Sequence, residues 1–219
     1  MRIGLDFDNT IACYDELFHR LAVEKGLIEP DAVVPNKKAV RDALRADGKE
    51  EDWILLQGEG YGPRIVDAKP YPGALAFVRR ALEAGHDVRI ISHKTRTPYR
   101  GPAHDLHQAC FDFLETHGFF SKGEHGPTPG SGGEGLVNAG PALAREHVLL
   151  NLTKADKIDR IVETGREVFL DDLAEFLSES GFPPIRKVLF DPAGAHRDDT
   201  PEGCERIGSW AELSERLLA

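Results

Sequence analysis

The sequence predicts an α/β protein with a doubly wound parallel sheet, interrupted after its first strand by a helical insert. Short apolar runs bounded by turn residues, "RIGLDFD", "DVRIIS", "HVLLNL", "EVFLDD" and "KVLFDP", have the continuous hydrophobicity of strands buried on both faces. Stretches with apolar residues at helical spacing separate them. In "KPYPGALAFVRRALEAGHDVRIIS" a helix passes to a strand through Gly85, the pattern of a βαβ crossover.

The elements follow in order. After the first strand, "YDELFHRLAVEKG" places Leu17, Phe18, Leu21 and Ala22 on one helical face, with Gly26 as a stop. "NKKAVRDALRADG" is an amphipathic helix ended by Gly48, and "EEDWILLQGEGYGPRIVD" is expected to be irregular because of its glycines. Pro72 and Gly73 open a helix carrying Ala74, Phe77, Val78 and Leu82. "AHDLHQACFDFLETHG" buries Leu106, Cys110, Phe113 and Leu114. Residues 121–145, rich in Gly, Pro and Ser, are expected to be a mobile surface loop. Thr153 is a suitable N-cap for the helix "KADKIDRIVE", and "SWAELSERLL" forms a closing helix.

Composition narrows the function. The 219 residues include 27 basic and 37 acidic side chains, and the net charge of −10 disfavours binding to nucleic-acid polymers or anionic membranes. No apolar run is long enough to span a bilayer, and the first residues do not resemble a secretory signal. Cys13, Cys110 and Cys204 are odd in number and widely spaced, which suits a reducing cytoplasm better than a disulfide framework. His104 and His107 have metal-compatible spacing but no evident acid or cysteine partner, so zinc is not expected.

The strand ends carry the chemistry. "LDFD" ends in Asp6 and Asp8, "RIIS" in Ser92, and "VFLDD" in Asp171 and Asp172. Ligands of open parallel sheets bind beyond the carboxyl ends of the strands. Acids gathered there repel one another, and a hard divalent cation with oxygen ligands, Mg²⁺, is the economical compensation. A cation beside a hydroxyl and a lysine then makes a site for phosphate.

"DFDNT", "IISHKT", the lysine of "KADKIDRI" and "VFLDD" resemble, in order, the four motifs of the haloacid dehalogenase (HAD) superfamily, over residues 1–12 and 69–192. The resemblance implies a Rossmann-like core formed by 1–12 and 69–219, with 13–68 as a small helical cap carrying specificity. It implies Asp6 as nucleophile, forming an aspartyl-phosphate, and Asp8 as general acid and base, whose backbone carbonyl also binds the metal. Thr10 would fix the loop, Ser92 would bind a phosphoryl oxygen, and Asp171 and Asp172 would complete the metal site with Asp6. The acid at position 8 matches the phosphatase branch, because a leaving alkoxide needs a proton.

Lys154 and Lys157 both lie in the first turn of their helix, where the positive helix end favours an anion. Local resemblance of "LT..DK" to the 5′(3′)-deoxyribonucleotidase group points to Lys157, with Lys154 as the other candidate. Trp53, Gln57, Tyr61 and Arg64 are candidate cap contacts, with Trp53 and Tyr61 at least as able simply to fill the cap's own core. His93, Lys94, Arg96 and Arg100 form a basic cluster directly after a catalytic strand end. Lys94 and Arg96 could hold an anionic part of the substrate, neutralise nearby aspartates or remain solvated. The expected function is a Mg²⁺-dependent phosphatase acting on a sugar phosphate or similar small metabolite. A nucleotidase and a catalytically idle HAD-like binding module are the alternatives, and the oligomeric state is open.

Overall fold

The structure, a computed structural model, describes residues 1–121 and 141–219, so most of the loop expected at 121–145 lies outside the described residues. The chain runs β1 (Arg2–Leu5), β2 (Ala12–Cys13), α1 (Asp15–Glu24), α2 (Lys37–Ala46), α3 (Glu50–Tyr61), β3 (Lys69–Pro70), α4 (Ala74–Glu83), β4 (Asp87–His93), α5 (Leu106–Thr116), β5 (Val148–Asn151), α6 (Lys154–Glu163), β6 (Val168–Asp171), α7 (Ala174–Leu177), β7 (Arg186–Phe190), β8 (Cys204–Ile207) and α8 (Trp210–Leu217). Six strands form one sheet in the order β5-β4-β1-β6-β7-β8, every pair parallel.

The sheet is buried on both faces, as the short apolar runs of its central strands require. Successive strand residues point to opposite faces, and here both sets are covered. Ile90, Val168, Leu170, Val188 and Phe190 join one core with Phe77, Phe113 and Trp210 of α4, α5 and α8. Ile91, Phe169 and Leu189 join a second, with Ile161 of α6 and Phe176 of α7. Burying each such side chain contributes about 1.5–3 kcal/mol.

β1 lies in the middle of the sheet, between β4 and β6. Its extension turns sharply: the Ile11 and Ala12 N–H groups both donate to the Phe7 carbonyl, at 2.9 and 3.0 Å. Asn9 sits in the left-handed region, φ 55°, which asparagine tolerates better than most residues. β2 and β3 then form a short antiparallel ribbon, and the helices α1–α3 are inserted between its strands. This ribbon was not legible as strand, and neither was β8.

α3 differs from the irregular stretch expected at 50–67. It is helical through Gly58 and Gly60, which each cost about 1 kcal/mol relative to alanine in a helix. Tertiary packing reverses that preference. A Cβ on Gly60 would stand 3.0 Å from the Phe18 ring, and one on Gly58 would stand 3.0 Å from Pro98 and 3.3 Å from the Arg100 carbonyl. The glycines let α1 and the loop after β4 approach the helix backbone.

Asp191, at the end of β7, accepts the N–H groups of Ala195 and His196 and organises a turn. Among the described residues, no helix is long and apolar enough to cross a membrane.

Candidate active site

The register of the central strands brings the acids together. Leu5 pairs with Leu170 on β6 and with Ile90 on β4, so Asp6 emerges beside Asp171, and Ser92 reaches it from β4. The Ser92 hydroxyl donates to Asp6 Oδ1 at 2.9 Å. Lys157 Nζ, from the first turn of α6, donates to the same oxygen at 2.6 Å and to Asp171 Oδ2 at 2.6 Å. Thr153 caps α6 by accepting the Asp156 N–H, which holds that turn in place. Both bonds fall on Oδ1 of Asp6, so the carboxylate is oriented while Oδ2 carries no protein donor among the described residues.

Lys157 is 2% exposed, whereas Lys154 is half-exposed on the surface with no ion pair among the described residues. Burial alone would lower the Lys157 ammonium, but the Asp171 and Asp6 carboxylates outweigh it and hold the group above its ordinary range.

Asp6, Asp171 and Asp172 each bring a carboxylate oxygen within 4.8 Å of the others. Burial, opposed by Lys157 and assisted by Asp6, pushes Asp171 up to about 6. Burial together with the neighbouring Asp171 and Asp6 charges drives Asp172 well above the usual carboxylate range. Asp171 is satisfied by Lys157 and by the Leu173 N–H at 2.9 Å, whereas Asp172 accepts no hydrogen bond among the described residues. Three acids against one ammonium, with hard oxygen donors only, is a donor set that fits a hard divalent cation. Oxygens across an octahedral Mg²⁺ lie about 4.2 Å apart, compatible with this spacing.

Asp8 points elsewhere. Lys94 Nζ donates to both of its carboxylate oxygens at 2.9 Å, and the Tyr14 hydroxyl donates to Oδ1 at 2.5 Å. Burial would raise the Asp8 carboxyl, but Lys94 and Tyr14 prevail and hold it below its usual range. Its side chain is not part of the acid cluster, so any metal bond from this residue falls to the backbone carbonyl that the resemblance implies. Lys94 is 4% exposed, with its own carbonyl accepting from His107 Nε2 at 2.8 Å. It is an internal ion-pair partner of Asp8, which is the neutralising role among those weighed for it, and it also borders the cavity described next.

A cavity of about 320 Å³ opens between α3 and the loop after β4. Asp8 and Lys94 lie at one side, with Ile54, Gln57 and Tyr61 from α3 and His93 and Tyr99 from the core. Two of the four candidate cap contacts, Gln57 and Tyr61, therefore line it. Trp53 is buried against Phe18, their rings 5.1 Å apart, and Arg64 pairs with Glu24 and Asp67 away from it. Arg96 does not line it either: its side chain is 67% exposed and faces Asp105 at 3.6 Å, drawn outward by the acid that caps α5. Thr10 is fully buried with its hydroxyl unpartnered, and its carbonyl accepts from the Trp210 indole at 3.1 Å, so it belongs to the loop's support and not to the cavity wall.

Sequence reasoning missed Tyr14 and Lys37. Lys37 Nζ donates to Asn9 Oδ1 at 3.1 Å and lies 5.2 Å from the Tyr61 ring centre. Burial would lower this ammonium, but Tyr61, Asp8 and Asp172 keep it above its ordinary value. Its one local signal was the adjacent Asn36 cap, which marks where α2 begins but not what its first residue faces.

The fold is similar to that of solved haloacid dehalogenase-type hydrolases. A HAD family hydrolase from Deinococcus radiodurans R1, solved with bound phosphate and sodium, matches with a TM-score of 0.55 at 13% identity, covering 99% of this chain and 94% of that one. A HAD-superfamily hydrolase from Ehrlichia chaffeensis matches with a TM-score of 0.50 at 10% identity, covering 99% and 95%. A dehalogenase matches with a TM-score of 0.52 at 15% identity, covering 100% and 97%. No protein-family model and no curated protein matches the sequence. The shared fold spans hydrolases of different chemistry, so the reaction has to be argued from the site.

Proposed function

We propose that the chain is a HAD-superfamily phosphatase, a Mg²⁺-dependent hydrolase of small-molecule phosphate monoesters working through an aspartyl-phosphate on Asp6. One observation carries this reading. Asp6, oriented by Lys157 and Ser92 within an acid cluster, stands two residues before a second carboxylate, Asp8, that is held separately at the edge of a cavity. Displacement of a halide would not call for that second acid, whereas displacement of an alkoxide does.

Asp6 attacks phosphorus as its bond to the alcohol oxygen breaks, and Asp8 gives the departing oxygen a proton. Water then attacks the aspartyl-phosphate, Asp8 takes a proton back, and phosphate leaves with Asp6 restored. Lys94 and Tyr14 keep Asp8 ionised, the state suited to the second step. An arriving phosphate dianion raises its proton affinity by like-charge repulsion, which suits the first. Lys157 balances Asp6 and Asp171, while Ser92 orients Asp6 and lies ready to donate to a phosphoryl oxygen. A cation held by Asp6, Asp171, Asp172 and the Asp8 carbonyl would neutralise charge on the phosphoryl oxygens.

The helices at 13–68 act in this reading as the cap over the cavity, which receives the alcohol part of the substrate. A nucleotidase would be favoured by a free aromatic face in the cap. Tyr61 does not offer one: Tyr14 and Phe18 pack edge-on against its ring, at 4.9 and 5.3 Å, and two lysines flank it. A cytoplasmic setting agrees with three free cysteines.

The test is phosphate release from a panel of phosphorylated sugars, nucleotides and amino-acid derivatives. Release should require Mg²⁺, stop with EDTA and fall by several orders of magnitude in Asp6→Asn while the fold persists. Full activity in rigorously chelated protein removes the metal, and near-normal turnover by Asp6→Asn removes the covalent route.

A further inference from the structure

The inserted helices bring a positive charge to the site that the reaction as derived does not use. Lys37 is the first residue of α2. Its backbone N–H donates to Asp15 Oδ1 at 2.9 Å, tying the start of α2 to the start of α1, and Asn36 caps the helix beside it. The side chain runs inward along an aromatic wall. Its ammonium stands 5.2, 5.7 and 5.9 Å from the ring centres of Tyr61, Tyr14 and Phe18. The chain thus fixes the position of this charge by packing, with the Tyr61 side chain beside it and a hydrogen bond to Asn9 Oδ1 in the turn that joins the two acids to β2.

The other two lysines at the site differ in one respect. Lys157 is closed by Asp6 and Asp171, and Lys94 by Asp8. Lys37 has no carboxylate oxygen within ion-pair distance among the described residues. An amide oxygen, ring faces and the more distant Asp8 and Asp172 charges hold the ammonium ionised without closing on it as an ion pair. A charge held in this way can still accept an anion that arrives from outside.

The charges of the site lead to the same place. With a divalent cation on the acid cluster and all four carboxylates ionised, Asp6, Asp8, Asp171 and Asp172 would carry four negative charges, Lys157 and Lys94 two positive ones, and the cation two more. That sum is zero, and a phosphate monoester dianion would meet a neutral site. Lys37 makes the site net positive, and from the cap side.

We propose that Lys37 is a substrate-binding residue whose ammonium contacts the phosphoryl group bound over Asp6, so that the cap as well as the core grips the transferring phosphate. The proposal rests on the phosphatase reading above. A contact to the phosphoryl group is common to all substrates, so its loss is felt whatever the leaving group. Gln57, by contrast, lines the cavity for the alcohol part.

The experiment compares wild type, Lys37→Met, Lys37→Arg and Asn9→Gly. It measures inhibition by orthovanadate and by inorganic phosphate in Mg²⁺, and kcat/KM on p-nitrophenyl phosphate and on an alkyl phosphate. Lys37→Met should weaken both inhibitors and lower kcat/KM on both substrates by about ten- to a hundredfold, the scale of one charge-assisted hydrogen bond. Lys37→Arg should recover part of each loss. Asn9→Gly, which removes the hydrogen bond and keeps the positive φ accessible, should retain vanadate affinity to within about threefold if the contact is to phosphate.

The proposal is overturned if Lys37→Met binds vanadate as wild type does, or if Lys37→Arg recovers nothing. It also falls if Asn9→Gly reproduces the Lys37→Met loss, which would make Lys37 a staple between cap and turn. If wild type neither hydrolyses any phosphate monoester nor binds vanadate, the phosphatase reading itself fails and takes this contact with it. Active wild type with an indifferent Lys37→Met removes the contact alone.

Discussion

Replacing Lys94 with methionine keeps most of the length of the side chain and removes its charge. The side chain is 3% exposed and its ammonium bonds both oxygens of Asp8, whose side chain is 24% exposed. Breaking a buried ion pair from one side costs about 3–5 kcal/mol, because the other charge is left uncompensated. Here Asp8 keeps the Tyr14 hydrogen bond and borders the cavity, where water reaches it, so the expected cost is lower, about 2–3 kcal/mol. For a chain of this size that is a fall in Tm of about 4–12 °C. Asp8→Asn strands the more deeply buried partner and should cost about 3–5 kcal/mol. The double variant removes both charges, so its loss should be smaller than the sum of the two by about 2 kcal/mol or more. Urea unfolding of the four proteins at neutral pH, without metal or phosphate, measures the cycle. Losses that add to within about 0.5 kcal/mol would refute an energetic coupling between Lys94 and Asp8, and with it the assignment of Lys94 as the group that holds Asp8.

Lys157→Ala should lower kcat/KM by about a hundredfold or more, since its ammonium touches Asp6 itself, while Lys154→Ala should stay within about twofold; equal, mild losses in both would take Lys157 out of the reaction. Arg96→Ala should change kcat/KM by less than about twofold both on the best substrate of the panel and on p-nitrophenyl phosphate, because an exposed ion pair is worth at most about 1 kcal/mol. A loss of about tenfold or more confined to the metabolite would restore Arg96 as a substrate-holding residue.

Much of the fold was legible because its determinants are local. The strands β1, β4, β6 and β7 carry short apolar runs toward their carboxyl ends, the composition of segments buried on both faces. Their acidic or hydroxyl ends stood out because charge at the edge of such a run demands compensation. Thr153 and Ser209 announced their helices, and each accepts the N–H three residues on. α3 was not legible, because the glycines that depress helix propensity are there for the approach of Phe18 and Pro98, which no local pattern encodes. β8, with its half-buried polar residues, and the two-residue strands of the ribbon were too weak in periodicity to register.

By itself the sequence determined which residues could do chemistry: the acids Asp6, Asp8, Asp171 and Asp172, Ser92, and a lysine at the start of α6. Strand alternation and helix spacing reach only a few residues along the chain, so it could not determine which charges meet. Tertiary structure chose Lys157 over Lys154, because Lys157 lies with Ile161 on the buried face of that helix and Lys154 does not. It turned Lys94 onto Asp8, 86 residues away, and left Arg96 in solvent. It also carried Lys37 across the cap to Asn9, 28 residues distant. In a low-dielectric interior a carboxylate needs a partner within a few ångströms, and which partner arrives is decided by the path of the whole backbone.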